Sequence, residues 1–436
     1  MTAVDPGDAL AGLAEPVAPA PEPEPPARDL TPRQWVRTNL AASPADLALT
    51  VVFGLIAAYA AYRLLRWVFV TTDWEIVRVN LRQFMIGPFP SDQLWRPWAS
   101  GYVLAAALGL AGGVLVGRPA PGGEGAGGDA EADGRAGAGA GLRGLAERFW
   151  PLGLGAVVVL SFTRTPLPTL LTVGLVAVFL AFRLLGARAL GALRRFVWLI
   201  VAVGVLAALQ VIVAGPGGVG WDDWGGLHLA VAATVAGIVL AFPLGVVLAL
   251  GRRSSLPAVR LVSTCYIEAF RAVPLVALLF MGRYMVGFLF PTTVDPPSQL
   301  VRAVIAITLF EAAYVAEIVR GGLQAVPAGQ IEAAHAVGLS QTQALRLVVL
   351  PQALRAVIPA MVGQFISLFK DTSLLSIVNF VELLTVAERA TEQSAFRGQG
   401  LQAVVLAFAG FLYWVGCSTM ARESRRLERR LGVGER

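Results

Sequence analysis

The sequence predicts an all-α protein that crosses a membrane many times, and three observations carry this. Of 436 residues, 56% are hydrophobic and only 15% are charged, with a mean hydropathy of +0.67. Runs such as Phe196–Gly215 and Gly226–Leu250 are long enough to cross about 30 Å of hydrocarbon as helices. The arginines cluster just outside such runs, as the positive-inside rule requires of cytoplasmic loops. The net charge of +6 therefore reports membrane topology and gives no reason to invoke nucleic acid.

Residues 1–45, with "EPVAPAPEPEPPARD", read as a disordered tail holding too little apolar surface to offset ordering entropy. No basic residue precedes an early apolar core, so a signal peptide is not expected. Residues 46–218 form an N-terminal membrane extension. Its expected spans are Asp46–Val70, Trp98–Gly117, the short Trp150–Thr163, Pro166–Leu185 and Phe196–Gly215. A Gly/Ala-rich linker at 118–147 separates the second from the third. Residues 219–420 carry Gly226–Leu250, Val273–Phe290, Ala303–Val319, Leu354–Val378 and Leu401–Thr419, and 421–436 form a basic tail.

"GRRSSLPAVR" and "ARESRRLERR" are basic and belong inside, whereas "PTTVDPPSQ" carries no base and belongs outside. Parity then gives about five spans upstream of Gly226, five downstream, and both termini in the cytoplasm. Trp74, Trp95, Trp98, Trp221 and Trp224 sit in loops where an interfacial aromatic belt would lie.

On this topology the polar stretch Gln330–Gln352 lies in the cytoplasm. Pro327 and Gly329 break the preceding helix, and Ile331–Val337 reads as a short helix. Gly338 stands where a residue of positive φ ends it, and Ser340 with Gln343 starts a second helix as a capping box. Pro351 interrupts the run before the next span. Helices this short are not stable alone in water. The apolar side offered by Ile331, Ala334, Val337 and Leu339 predicts a docking surface; the plainer reading is an amphipathic helix resting on its own protein or on lipid headgroups.

"EAAHAVGLSQTQALRLVVLP" resembles the EAA loop of the membrane subunits of bacterial ATP-binding-cassette importers. The match is carried by Glu332, Ala333, Ala334, Gly338, Leu350 and Pro351, with Val348 in place of the usual isoleucine. "YIEAFRAVPL", "AAYVAEIVRGGLQAVPAGQ" and "FISLFKDTSLLSIV" are similar to the polar amino acid permeases of the histidine/glutamine type. Upstream, "RQFMIGPFPSDQLWRPW" looks like the long membrane subunit of general L-amino acid importers.

The resemblance implies a type I importer core of five helices in the bacterial cytoplasmic membrane. It implies that the loop docks into a separate ATPase dimer, which holds ATP and Mg, so this chain itself carries no cofactor and is no enzyme. A second permease subunit (a homologue or a second copy) and an extracytoplasmic amino-acid-binding protein would complete the machine, with L-amino acids as cargo and lipid around it.

A pathway for a zwitterion must satisfy an ammonium and a carboxylate without water, so ionisable residues inside apolar spans are the candidates. Asp371 is the expected ammonium partner. Lys370, the sole lysine in the chain, is a structural partner or a carboxylate contact, and Thr372 and Ser373 follow it. The alternative is a polar cluster that packs against a partner subunit. Glu311 and Tyr314, three apart, share a helix face. Glu317 is expected to pair with Arg320, Glu268 with Arg271, and Arg283 to snorkel outward.

His228 and His335 lack metal-ligand company, and Cys265 and Cys417 indicate neither disulfide nor zinc. With Lys370 following Phe369, no P-loop is possible. A transporter run by an ion gradient would need inverted repeats that are not visible here. A membrane enzyme would need clustered histidines or carboxylates at an interface.

Overall fold

A computed structural model describes residues 31–116, 138–189, 196–213, 218–291 and 293–431. The first thirty residues of the expected tail, most of the Gly/Ala linker and the last five residues lie outside these. The described residues are helical, joined by turns and one isolated bridge between Gly226 and Glu382.

Two compact units are separable, Met1–Thr72 and Asp73–Arg436. In the first, α1 (Pro32–Asn39) falls inside the expected tail. Pro32 at its first turn and a Thr31–Gln34 capping box supply the local reason. Ser43 caps α2 (Pro44–Arg66), which continues as a π-helical turn to Thr71. This span buries none of its apolar residues within the chain, as suits a helix whose solvent is lipid.

The second unit runs through α3 (Glu75–Ile86), α4 (Trp95–Val116), α5 (Ala138–Ser161), α6 (Leu167–Ala189) and α7 (Val197–Val213). Helix α4 packs against α6 and α7. The short Trp150 segment is the second half of α5, kinked at Phe149 just before Pro151. The helix begins at Ala138, inside the expected linker.

The core follows with α8 (Gly226–Arg252), α9 (Pro257–Ala272), α10 (Leu275–Phe280), α11 (Gln299–Ala325), α12 (Ala328–Ala336), α13 (Gln341–Ala344), α14 (Leu350–Ala356), α15 (Ile358–Asp371), α16 (Leu383–Glu392) and α17 (Gln402–Leu431). Among the described residues five helices are long and apolar enough to cross a membrane, or seven if each of two bent pairs counts as one span. Two of the five, α8 and α17, and both bent pairs belong to the core. Helix α11 is about 40 Å long by its rise per residue, the length of a crossing, but it holds Arg302, Glu311, Glu317 and Arg320 and is not among those counted.

The core is sharply bent in two places. Between α9 and α10 the chain turns by 101° at Val273–Pro274, both extended, and then passes through a π turn, Met281–Met285. Pro274 provides no amide hydrogen for the helix ladder. Leu354–Val378 is bent by 55° at Val357, two residues before Pro359.

Two apolar clusters hold the core together. Near the Gly226 end of α8, Leu229 and Ala233 pack with Leu279, Ile307, Leu368 and Leu375. Near its Arg252 end, Leu248 packs with Ile267, Val315, Val319, Val349 and Met361. Helices α8 and α11 cross so closely that a Cβ on Gly245 would lie 2.5 Å from Val315 and 2.9 Å from the Ala312 carbonyl oxygen. Small residues at such crossings are how helices gain contact in lipid.

Candidate functional site: a coupling loop and the polar groups of the core

The loop after α11 is built by local rules. Pro327 caps α12, and Gly329 lies inside that helix, so Pro327 alone marks the break. Gly338 has φ +84°, and the backbone amides of Gly338 and Leu339 donate to the carbonyls of His335 (2.9 Å) and Ala334 (3.1 Å). These bonds satisfy the helix end. Ser340 and Gln343 form the expected capping box of α13.

His335, assigned no site from the sequence, bridges the two helices. Its ring nitrogens lie 3.0 Å from the Leu339 carbonyl oxygen and 2.9 Å from Gln341 Oε1. Its spacing of four and six residues from these partners was visible, but only the turn at Gly338 brings them round.

The apolar side of this loop faces two ways. Ala334 is buried and Ile331 packs against the inner core cluster, so these two anchor the loop to its own protein. Val337 is 78% exposed and Leu347 62% exposed, with Glu332 and Ala333 beside them also open. Leu350 packs on the same inner cluster, and Pro351 sits in the first turn of α14, whose helix it starts instead of ending. The free surface is thus Glu332, Ala333, Val337 and Leu347; of the predicted side it keeps Val337, while Ile331 and Ala334 turn inward.

At the foot of the membrane helices, Glu317 is the centre of an ionic network. Arg320 Nε donates to it at 2.9 Å, Arg252 lies 3.3 Å away and Arg271 3.9 Å away. Arg252 also binds Glu268 at 2.9 Å. The Glu317–Arg320 pair is as expected. Glu268 and Arg271 are not a pair: each crosses to a different helix, because the three-dimensional approach of α8, α9 and α11 offers shorter partners. The network ties those three helices together.

Deeper in the core Glu311 is fully buried and accepts from Gln364 Nε2 at 3.1 and 3.3 Å. Gln364, on α15, escaped the sequence reading; lying seven residues before Asp371, it shares a helix face with it after two turns. Tyr314 does not join Glu311. Its ring packs at a tilt against Phe310, centroids 4.8 Å apart, and lies under the Arg271 guanidinium at 5.6 Å.

Asp371 is half-buried at the end of α15 and Lys370 is exposed. Thr372 is fully buried with its hydroxyl donating to the Phe369 carbonyl oxygen (2.7 Å), and the Ser373 carbonyl accepts from the Ser376 hydroxyl (2.6 Å). This region thus sets an exposed Lys370 and a half-buried Asp371 on the helix that also holds Gln364, the partner of the buried Glu311.

A second missed residue is Glu382, which is fully buried and caps α16. It accepts from the amides of Leu384 (2.7 Å) and Thr385 (3.0 Å) and from the Tyr413 hydroxyl (3.1 Å). Burial pushes its carboxyl up to about 7, against the pull of those donors.

The profile of the family described as binding-protein-dependent transport system inner membrane component matches residues 241–433, which contain the loop and all of these polar groups. The glutamate/glutamine/aspartate/asparagine transport system permease protein BztC of Rhodobacter capsulatus is 34% identical over 444 residues. That alignment covers 91% of this chain and 93% of the relative. This chain belongs to that permease family.

The inner membrane amino-acid ABC transporter permease protein YhdY of Escherichia coli K12 is 44% identical over 214 residues, 49% of this chain and 57% of its own length. The glutamate/aspartate import permease protein GltK of Escherichia coli O6:H1 is 36% identical over 194 residues, 44% of this chain and 84% of its own. The protein is accordingly a multi-pass permease subunit of an ATP-binding-cassette importer, and hydrolysis belongs to a separate subunit.

Proposed function

We propose that this permease moves L-amino acids inward across the cytoplasmic membrane, delivered by an external binding protein and paired with a second permease subunit or a second copy of this chain. The observation that carries the coupling is the exposure of Val337 and Leu347 beside Glu332 on a loop whose other side is anchored in the core. ATP and Mg sit on the ATPase dimer that grips this surface. Asp371 meets the substrate ammonium, and the Glu311–Gln364 pair lines the pathway beside it. The basic flanks support a cytoplasmic position for both termini and the loop. The names of the relatives, all amino acid permeases, support the cargo class.

The test is directional. In right-side-out vesicles, uptake of labelled L-amino acids should require ATP in the lumen and binding protein outside. In the same vesicles, with Cys265 and Cys417 replaced, Thr293→Cys should react with an impermeant maleimide while Ser255→Cys should not. Uptake driven by an ion gradient without ATP would refute the reading, and reversed labelling would overturn the cytoplasmic placement of the loop.

A further inference from the structure

The core carries a cation on its Pro291–Ser298 side, the side read as external, that nothing in the described chain neutralises. Arg283 stands on the π turn Met281–Met285, where one extra residue per turn re-aims side chains. It does not reach freely outward. Its Nε and Nη1 are shielded from solvent and have no hydrogen-bond partner. The guanidinium lies over the Phe380 ring, 4.1 Å from its centroid, and 5.4 Å from that of Tyr284.

An aromatic face offsets only part of the cost of desolvating a guanidinium, whose five N–H groups still require acceptors. Arg302 deepens the need. Its carbonyl oxygen would lie 3.1 Å from a Cβ on Gly282, its Nη1 2.7 Å from one on Gly287, and its own Nε is buried without a partner. Neither arginine makes an ion pair among the described residues.

The patch is continuous with the candidate pathway. The Phe380 amide donates to the Leu375 carbonyl (3.0 Å), closing the turn that leads out of the Asp371 helix, and the Tyr284 hydroxyl reaches the Val378 carbonyl (3.4 Å). Arg283 therefore rests on the outward extension of the segment that bears Asp371. A planar fork of donors is suited to hold a carboxylate through two parallel bonds.

We propose that Arg283, backed by Arg302, is a selectivity site for the side-chain carboxylate of an acidic amino acid entering from the external face. This rests on the amino-acid reading above.

The experiment uses proteoliposomes holding the complete importer, with ATP enclosed and one binding protein throughout, and compares L-glutamate with its near-isostere L-glutamine. The wild type should move both. Arg283→Met should lower the glutamate-to-glutamine uptake ratio by about tenfold or more, the scale of a lost charge-assisted pair, with glutamine uptake little changed. Arg283→Lys, which keeps the charge but not the fork, should recover part of the ratio. An unchanged ratio in Arg283→Met would overturn the proposal, as would a wild type that moves glutamine and no glutamate. An Arg283→Met importer that fails to assemble would assign the guanidinium to subunit packing and overturn it too. A wild type that moves neither amino acid would instead defeat the proposed function.

Discussion

Glu332→Lys and Gly338→Val should each abolish ATP-driven uptake while the chain still inserts in the membrane. Glu332 is exposed and makes no ion pair among the described residues, so reversing its charge costs this chain little. The change falls on whatever docks there, since like-charge or unpaired contacts at an interface carry a large penalty. Gly338 works differently. A Cβ there would meet nothing within 4 Å, so the strain comes from φ +84° alone. A β-branched residue in that region is a genuine outlier, and the left-handed conformation costs about 1–2 kcal/mol for ordinary residues. Two helices of nine and four residues have little stability to spare. Uptake and retention of the ATPase on purification should fall together, and wild-type uptake in either variant would remove the coupling role.

The second large effect is expected at Asp371. Asp371→Asn keeps shape and hydrogen bonding but removes the charge proposed to meet the substrate ammonium. Loss of a charge-assisted hydrogen bond, about 1.5–3 kcal/mol, lowers effective affinity roughly ten- to a hundredfold. The binding protein should hold its amino acid as before, because that step precedes contact with the permease. Complex yield and melting temperature should stay near the wild type. A merely structural Asp371 would instead lose assembly and thermal stability along with uptake. A stable, assembled Asp371→Asn complex that transports at the wild-type rate would rule out substrate contact.

Local rules made the coupling loop legible. Gly338, the Ser340–Gln343 box and Pro327 each act within a few residues, and each does in the structure what its chemistry dictates. What faces what was not legible. Ile331 and Ala334 looked like a docking face because their spacing makes a stripe, but a stripe does not say whether its partner is another chain or the protein's own core. Glu268 and Arg271 looked like a pair because they lie one helical turn apart. They part because Arg252 and Glu317 come closer through a helix crossing that no short-range pattern encodes.

Gln364 and Glu382 were missed for the same reason. A glutamine in an apolar span acquires meaning only when Glu311 is set against it, and a glutamate before a helix becomes a buried cap only when Tyr413 closes over it. The 101° turn at Pro274 is far sharper than a proline alone implies and depends on both Val273 and Pro274 being extended.

Photocross-linking from the loop tests the central claim most directly. In a chain with Cys265 and Cys417 replaced, Val337→Cys and Ala334→Cys are labelled with a benzophenone maleimide in native membranes, illuminated, and the adducts identified by mass spectrometry. Val337 is 78% exposed and Ala334 only 5%. The account predicts an ATPase subunit captured from position 337 and none from position 334. Adducts from position 337 confined to lipid or to this chain itself would contradict it.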